Sequence, residues 1–304
     1  MISLITGASG FIGGRLIQPG DRGLIHSKLT KLSNAVNGDL LDSSSLDLAC
    51  KGIGTIFHCA GYAHGFSSSS ANLNYKINFE GTRNLICAAG KAGVKRFVFL
   101  SSVKAMAEPG EDCVDEDWPG EPQTPYGRAK RAAEDVVLEV GAKYGMHVVN
   151  LRLAMVYGFS GQGNLNRMAS AIRSGWFPPL PQTDNRRSLV HVQDVVELMR
   201  LAAKRPEASG RTYIVADSRA YSGYEIYGTI REVLGITSDP FFRVPVSWMR
   251  AAGRMNGRIE GVINRLINSE CYSSLRIEQE LGWRTRISLK EGLREMLSIS
   301  GSDL

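Results

Sequence analysis

Nowhere in the 304 residues is there a run of the roughly 18 apolar residues that a membrane-spanning helix needs, so no span is expected. The opening "MISLITGASG" lacks the basic start, long apolar stretch and small-residue cleavage site of a secretory leader. Cysteine is scarce: five, at 50, 59, 87, 113 and 271, odd in number, widely spaced and without a Cys-x-x-Cys pair. That pattern argues against a disulfide framework and against a zinc site, predicts no bound metal, and suits a reducing cytoplasm. There is no Lys/Arg block and no interleaving of basic and aromatic residues. The net charge of +6, from 36 basic and 30 acidic residues, is spread along the chain and predicts no nucleic-acid groove. It reads either as a solvated surface or as a bias toward anionic small molecules. Internal repeats and low-complexity tracts are missing too.

What is there is a core: 43% of the residues are hydrophobic, enough for one large domain or two unequal ones. In the first half, apolar runs of strand length ("ISLIT", "GLIH", "AVNG", "GTIFHCA", "RFVFLSS", "HVVNLRL") alternate with helix-like stretches at 72–92 and 125–144. The second stretch repeats apolar residues at helical spacing through Ala129, Ala132, Ala133, Val136, Val137 and Val140. Strand, helix, strand in succession implies parallel pairing through right-handed crossovers. The expected fold is α/β, a Rossmann-like doubly wound parallel sheet with a smaller, mostly helical C-terminal substrate lobe. Residues 1–160 are assigned to the sheet domain, 188–215 return to it through "SLVHV", a helix at 193–204 and "RTYIVAD", and the rest of 161–304 forms mainly the substrate lobe. Helices are expected at 222–234, 246–267 and 274–298.

"LITGASGFIGGRLI" places Gly7, Gly10 and Gly13 directly after a strand and at the start of a helix. Side chains there would block the tight turn and keep the backbone from a dinucleotide's pyrophosphate, whose charge is met by N–H groups at the helix start. The spacing is Gly-x-x-Gly-x-x-Gly rather than Gly-x-Gly-x-x-Gly. The second strand should end in the side chain that grips the adenosine ribose. An acid there would indicate NAD, but "RGLIHSKLTK" offers His26, Ser27 and Lys28. Lys28 or Lys31 would suit the 2′-phosphate of NADPH, whereas His26 could bond to an NAD ribose without favouring phosphate.

"TPYGRAK" sets Tyr126 and Lys130 four apart on one face of a helix start. A free phenol, with a pKa of about 10, needs a neighbouring cation to move a proton at neutral pH, and Lys130 can be that cation. Upstream, "RFVFLSSVK" ends a strand in Ser101 and Ser102, where a hydroxyl could hold a substrate oxygen or merely cap the next turn.

Glycine loop, strand-end serine and Tyr-x-x-x-Lys, in that order, resemble an extended short-chain dehydrogenase/reductase of the nucleotide-sugar epimerase, dehydratase and reductase branch. "NFEGTRNLICAAGKAGVKRFVFLSS", "PYGRAKRAAE", "LRLAMVYG", "RRSLVHVQDVV" and "SSLRIEQELGW" extend the resemblance through nearly the whole chain. It implies Ser102, Tyr126 and Lys130 as the catalytic set and Gly7, Gly10 and Gly13 as the pyrophosphate loop, with Phe11 and Ile12 supplying backbone N–H groups. Asp39 and Leu40 match the adenine-side contact, Ala60 the cofactor edge and Asn78 a helix asparagine near the site, while Lys130 also reaches the nicotinamide ribose. Arg187 matches the arginine on the nucleotide diphosphate, a role for which its planar fork is suited. Asn164 and Arg265 are further candidates for that group, and His64 for the sugar. His191, in an apolar strand, reads as structural.

The chain also departs from the branch. Met155 stands where the 4-epimerases usually carry an asparagine on the uridine diphosphate, and Val103 and Lys104 replace the dehydratases' Asp-Glu pair. "SSVK", "GNLNRM" and "NRRSLV" look more like a subgroup involved in bacterial surface polysaccharide synthesis. The expected function is therefore hydride transfer at C4 of a nucleotide-activated sugar, with a UDP-4-keto-6-deoxy-hexosamine 4-reductase placed first and NADPH favoured over NAD. The alternatives are a UDP-hexose or UDP-N-acetylhexosamine 4-epimerase with tightly bound NAD, and a non-catalytic nucleotide-binding protein of the same fold. Homodimerisation through a helix pair including 125–144 is a family expectation.

Overall fold

The computed structural model describes residues 2–26, 34–62, 71–161, 163–238, 244–255 and 257–298, with the side chains of 252, 255, 257–259, 262, 265 and 298 outside that set. Its centre is a seven-stranded parallel sheet. The strands are β1 (Ile2–Thr6), β2 (Arg22–Ile25), β3 (Ala35–Asn37), β4 (Ile53–His58), β5 (Arg96–Ser102), β7 (His147–Leu153) and β10 (Arg211–Val215), in the order β10-β7-β5-β4-β1-β2-β3. Chain order reverses between β1 and β4, and in a doubly wound sheet the crevice for a ligand opens at such a switch point, beyond the carboxyl ends of the strands.

The strands read as unbroken apolar runs because both faces of the sheet are covered. Successive residues point to opposite faces. Leu4, Ile56, Phe97 and Phe99 pack on one side with α2 (Ser43–Ala49), α4 (Gly81–Lys91) and α5 (Pro125–Tyr144). Ile5, Phe57, Val98 and Leu100 pack on the other with α7 (Val192–Ala202) and α11 (Leu275–Leu281). Helix α5 starts where Thr124 Oγ1 accepts a hydrogen bond from Gly127 N (3.0 Å), has Pro125 in its first turn, and stops at Gly145, whose φ of 58° is left-handed. Its face of Ala129, Ala133, Val137 and Val140 is buried.

The helix expected at 72–92 is interrupted: α3 (Ala71–Asn74) runs into a π-helical turn over Tyr75–Glu80 before α4. The stretch 246–267 divides into α9 (Val246–Met255) and α10 (Gly257–Ile267), and 274–298 into α11 and α12 (Leu289–Ser298). Strand β10 joins the large sheet, but β9 (Leu189–His191), the core of "SLVHV", pairs instead with β8 (Met155–Tyr157). A third cluster, including Leu165, Met168 and Ile172 of α6 (Asn164–Arg173), Ile226 and Ile230 of α8 (Gly223–Val233), Ile263, and Leu293 and Met296 of α12, forms the core of the C-terminal lobe. No described helix is long and apolar enough to cross a membrane.

Against the expectation from cysteine number and spacing, two of the five cysteines are paired. A two-stranded pairing of β6 (Cys113–Val114) with β11 (Cys271–Tyr272) makes Cys113 and Cys271 register partners, with Cα atoms 4.4 Å apart, and they form a disulfide. Sequence spacing could not show this, because the partners lie 158 residues apart. The bond ties the loop between Ser102 and Tyr126 to the segment entering α11. Cys113→Ser is expected to destabilise the oxidised protein by roughly 2–4 kcal/mol in denaturant unfolding, through lost loop-closure restraint. Thiol titration of the unfolded, unreduced chain should then find Cys271 in addition to Cys50, Cys59 and Cys87.

Just past β10, Asp217 is buried, and that burial, with Asp194 adding to it, pushes its carboxyl up to about 7 against the pull of Tyr221, Thr285 and Arg219. The folded pKa lies above the unfolded value of 3.8, so the folded state prefers the protonated form. Its stabilising contribution is complete below about pH 4 and is lost as pH rises toward 7. Asp217→Asn should therefore raise the Tm at pH 8 and leave it nearly unchanged at pH 4, as calorimetry can check.

Candidate active site

The turn leaving β1 is bare backbone pressed against the end of β4. Gly7 has a φ of +63°, and a Cβ there would stand 2.9 Å from the Ala60 nitrogen. A Cβ on Gly13 would run into the Gly7 carbonyl oxygen, while Gly10 N donates to that same oxygen (2.8 Å). The cradle is thus one that side chains would fill, and it suits the pyrophosphate of a dinucleotide. Phe11 and Ile12 follow Gly10, with Ile12 directly before the single turn of α1 (Gly13–Leu16). The Arg15 guanidinium lies 4.7 Å over the Phe11 ring and donates to Phe11 O (2.7 Å). Ala60 N donates to Thr6 Oγ1 (3.0 Å), and the same hydroxyl is bonded to His58 Nδ1 (2.7 Å). Burial, with Lys130 adding to it, holds His58 down at about 3 and therefore neutral.

His26 follows β2 directly, and its Nε2 lies 3.4 Å from Asp39 Oδ2, beyond the end of β3. The sequence supplies no acid after β2, yet the fold brings one there from the neighbouring strand. Asp39 Oδ1 also accepts from Leu41 N (2.9 Å). Leu40 packs under Gly81, and its carbonyl accepts from Asn84 Nδ2 (3.0 Å). Ser27 and Lys28, with Lys31, lie outside the described residues, as does His64.

Asn78 sits in the π-helical turn and is fully buried. Its Oδ1 accepts from Tyr62 N (2.9 Å), and its Nδ2 donates to Tyr62 O (3.0 Å) and to Asn74 Oδ1 (3.2 Å). These bonds pin the chain two residues beyond Ala60. A π-helical turn is a geometry that no α-helical periodicity reveals.

The catalytic candidates converge at the end of β5. Tyr126, half-buried in the first turn of α5, is hydrogen-bonded to Ser102; burial raises its pKa and that bond opposes the rise. Ser102 Oγ also accepts from Lys104 N (3.2 Å). One helical turn on, Lys130 Nζ donates to Leu100 O (2.8 Å) and lies 4.6 Å from the centre of the Phe99 ring. Burial pulls the Lys130 ammonium down to about 8, against the pull of Glu134 and Cys59. Gly127 permits this approach, since a Cβ there would strike the Lys104 carbonyl oxygen.

On the lobe side, Arg187 is buried, with Nη2 donating to Glu270 Oε2 (3.2 Å) and Nη1 to Asn268 O (3.2 Å). Glu270 Oε1 accepts from Lys104 Nζ (2.9 Å) and so links Arg187 to the strand end that carries Ser102. A cavity of about 330 Å³ is lined by Arg187 and Asn164 together with Met155, Arg167, Phe177 and Leu266. Arg265 falls on α10, but its side chain is outside the described set. His191 is buried and caps α7, accepting from Gln193 N at 3.4 Å. Among the described residues no group of three or more His, Cys, Asp or Glu stands close enough to hold a metal ion.

Thr6, His58 and Thr82, hydrogen-bonded in a row behind Ala60, carry no signal in the sequence, and neither does the Ser101–Glu134–Arg152 network as a whole. Only Glu134, four residues beyond Lys130, left a signal in spacing.

Known proteins resemble this chain in sequence and in fold. UDP-glucose 4-epimerase of Vibrio cholerae is 28% identical over 312 residues, spanning 96% of this chain and 93% of its own. UDP-glucose 4-epimerase of Thermotoga maritima, solved with UDP-glucose, superposes with a TM-score of 0.77 at 23% identity, covering 99% of both chains. The Thermus thermophilus UDP-glucose 4-epimerase complex with NAD gives a TM-score of 0.76 at 23% identity over 100% of both chains. The model of the NAD dependent epimerase/dehydratase family matches residues 3–216, and the chain belongs to that family.

Proposed function

We propose that the protein is an NAD-dependent 4-epimerase of a UDP-sugar. The observation that carries the chemistry is the hydrogen-bonded Ser102–Tyr126 pair with Lys130 one turn beyond, set beside the glycine cradle. The choice of 4-epimerisation leans on the relatives named above. Bound nicotinamide dinucleotide would supply the hydride acceptor and donor. Gly7, Gly10 and Gly13 would receive its pyrophosphate, with Phe11 and Ile12 offering backbone N–H groups, and His26, Asp39 and Leu40 its adenosine end. Ser102 would hold the sugar's C4 oxygen while Tyr126 takes its proton and later returns it, and the Lys130 ammonium would stabilise the phenolate. Arg187, with Arg167 and Asn164 in the same cavity, would grip the diphosphate. Inversion requires the sugar ring to turn between the two hydride transfers, so that the returning hydride would reach the opposite face of C4, while the diphosphate stays held and the C4 oxygen stays within reach of Tyr126.

NAD is preferred over NADPH because the Asp39 carboxylate stands beside His26 at the ribose edge, where a 2′-phosphate would be repelled. The NADPH expectation rested on Lys28 and Lys31. Reduction of a 4-keto sugar is the second reading, favoured by Met155 in the cavity wall where an epimerase asparagine would stand. To decide, the pure protein is incubated with UDP-glucose or UDP-N-acetylglucosamine and no added cofactor, and separately with UDP-4-keto-6-deoxy-N-acetylglucosamine plus NADH or NADPH. Interconversion of the UDP-sugars alone supports the epimerase; turnover only in the second mixture replaces it with the reductase.

A further inference from the structure

The Tyr126–Lys130 face of α5 continues one turn further to Glu134, a carboxylate that is 1% exposed. Its Oε1 accepts from Ser101 Oγ (2.5 Å) and Arg152 Nε (3.0 Å), and its Oε2 from Arg152 Nη2 (2.7 Å) and Nε (3.2 Å). Arg152, on β7, is itself 5% exposed. Burying such a pair removes two charges from water, and apolar residues of similar volume often give equal or greater stability. Stability alone is therefore a poor reason for the pair to be there.

Its position suggests a better one. Three consecutive residues of β5 hold three successive turns of α5: Ser102 bonds to Tyr126, Leu100 O accepts from Lys130 and Ser101 donates to Glu134. The groups facing the Lys130 ammonium from each packed element leave Glu134 as its anion among the described residues. From β4, His58 is neutral and Cys59 is a thiol pushed up to about 12 by burial. From β5 come the Phe99 ring and the Leu100 carbonyl. The buried Asn78 amide is uncharged, Tyr126 is a phenol, and Arg152 grips the carboxylate from β7.

We infer that Glu134, clamped by Arg152 and Ser101, is a positioning residue of the C4 reaction: its carboxylate keeps the buried Lys130 protonated and holds the Tyr126–Lys130 face in register with Ser102. The inference rests on the reading that Tyr126 and Lys130 serve the proton transfer. A lysine that burial has already brought close to working pH would lose its proton once this anion is removed, and with it the support for the phenolate.

The test titrates Lys130 directly, in cofactor-free protein carrying carbon-13 at lysine Cε, with the resonance assigned by its loss in Lys130→Arg. Glu134→Gln should move the Lys130 midpoint down by about one pH unit, Glu134→Asp should leave it near wild type, and Arg152→Met should move it up. The alkaline limb of kcat/KM should follow the same order. A merely structural role would lower activity without moving the midpoint in opposite directions. Should Glu134→Gln fail to fold, the sign of the Arg152→Met shift decides. Unmoved midpoints in the variants that fold overturn the inference, while turnover surviving in Tyr126→Phe would instead sink the reading on which it rests.

Discussion

Tyr126→Phe is expected to lower kcat by about 10²–10⁴-fold, the usual worth of a positioned proton donor, while NAD binding and Tm stay near those of the parent. The change removes one oxygen. The ring keeps its place in the first turn of α5, Gly127 keeps its approach to Lys104, and Lys130 keeps its bond to Leu100 O. What disappears is the O–H bonded to Ser102, the group to which the proposed reaction assigns the proton exchange. Burial raises the phenol's pKa in the ligand-free protein, so without the Lys130 charge the phenolate would be out of reach at neutral pH. Steady-state rates with a UDP-sugar, paired with fluorescence titration of NAD, separate chemistry from binding. Unchanged kcat would remove Tyr126 from the mechanism.

Gly127→Ala should be nearly as damaging, although it touches no reacting atom. The new methyl would overlap the Lys104 carbonyl oxygen and crowd Pro122 Cβ at 3.1 Å, so α5 must move away from the end of β5. A shift of about 1 Å between Tyr126 and Ser102 is enough to cost about 10²-fold in kcat, and overpacking adds roughly 1–3 kcal/mol of destabilisation. Alanine is the better helix former, so a rise in stability with full activity would show that the close approach is dispensable.

The parallel sheet was legible because its strands are apolar on both faces and bounded by glycine or polar residues, and α5 because its threonine cap, proline and periodic face agree. The glycine cradle and the Ser102, Tyr126 and Lys130 set were legible as local words in the chain. Contacts made by distant segments were not. Cys113 meets Cys271 only through the β6–β11 pairing, and Asp39 reaches His26 only because β3 lies beside β2. The role of Asn78 in pinning Tyr62 depends on a π-helical turn whose extra residue leaves no mark in apolar spacing. Glu134 was not singled out in the sequence, because its partners Arg152 and Ser101 come to it from two other strands.

The measurement that bears most directly on the central claim follows a deuterium at sugar C4. A UDP-sugar deuterated at C4 and incubated with the pure protein, without added cofactor, should yield the 4-epimer with the label still at C4, because the hydrogen leaves and returns as hydride. Loss of the label to water during epimerisation, or no product until a 4-keto sugar and reduced cofactor are added, would contradict it.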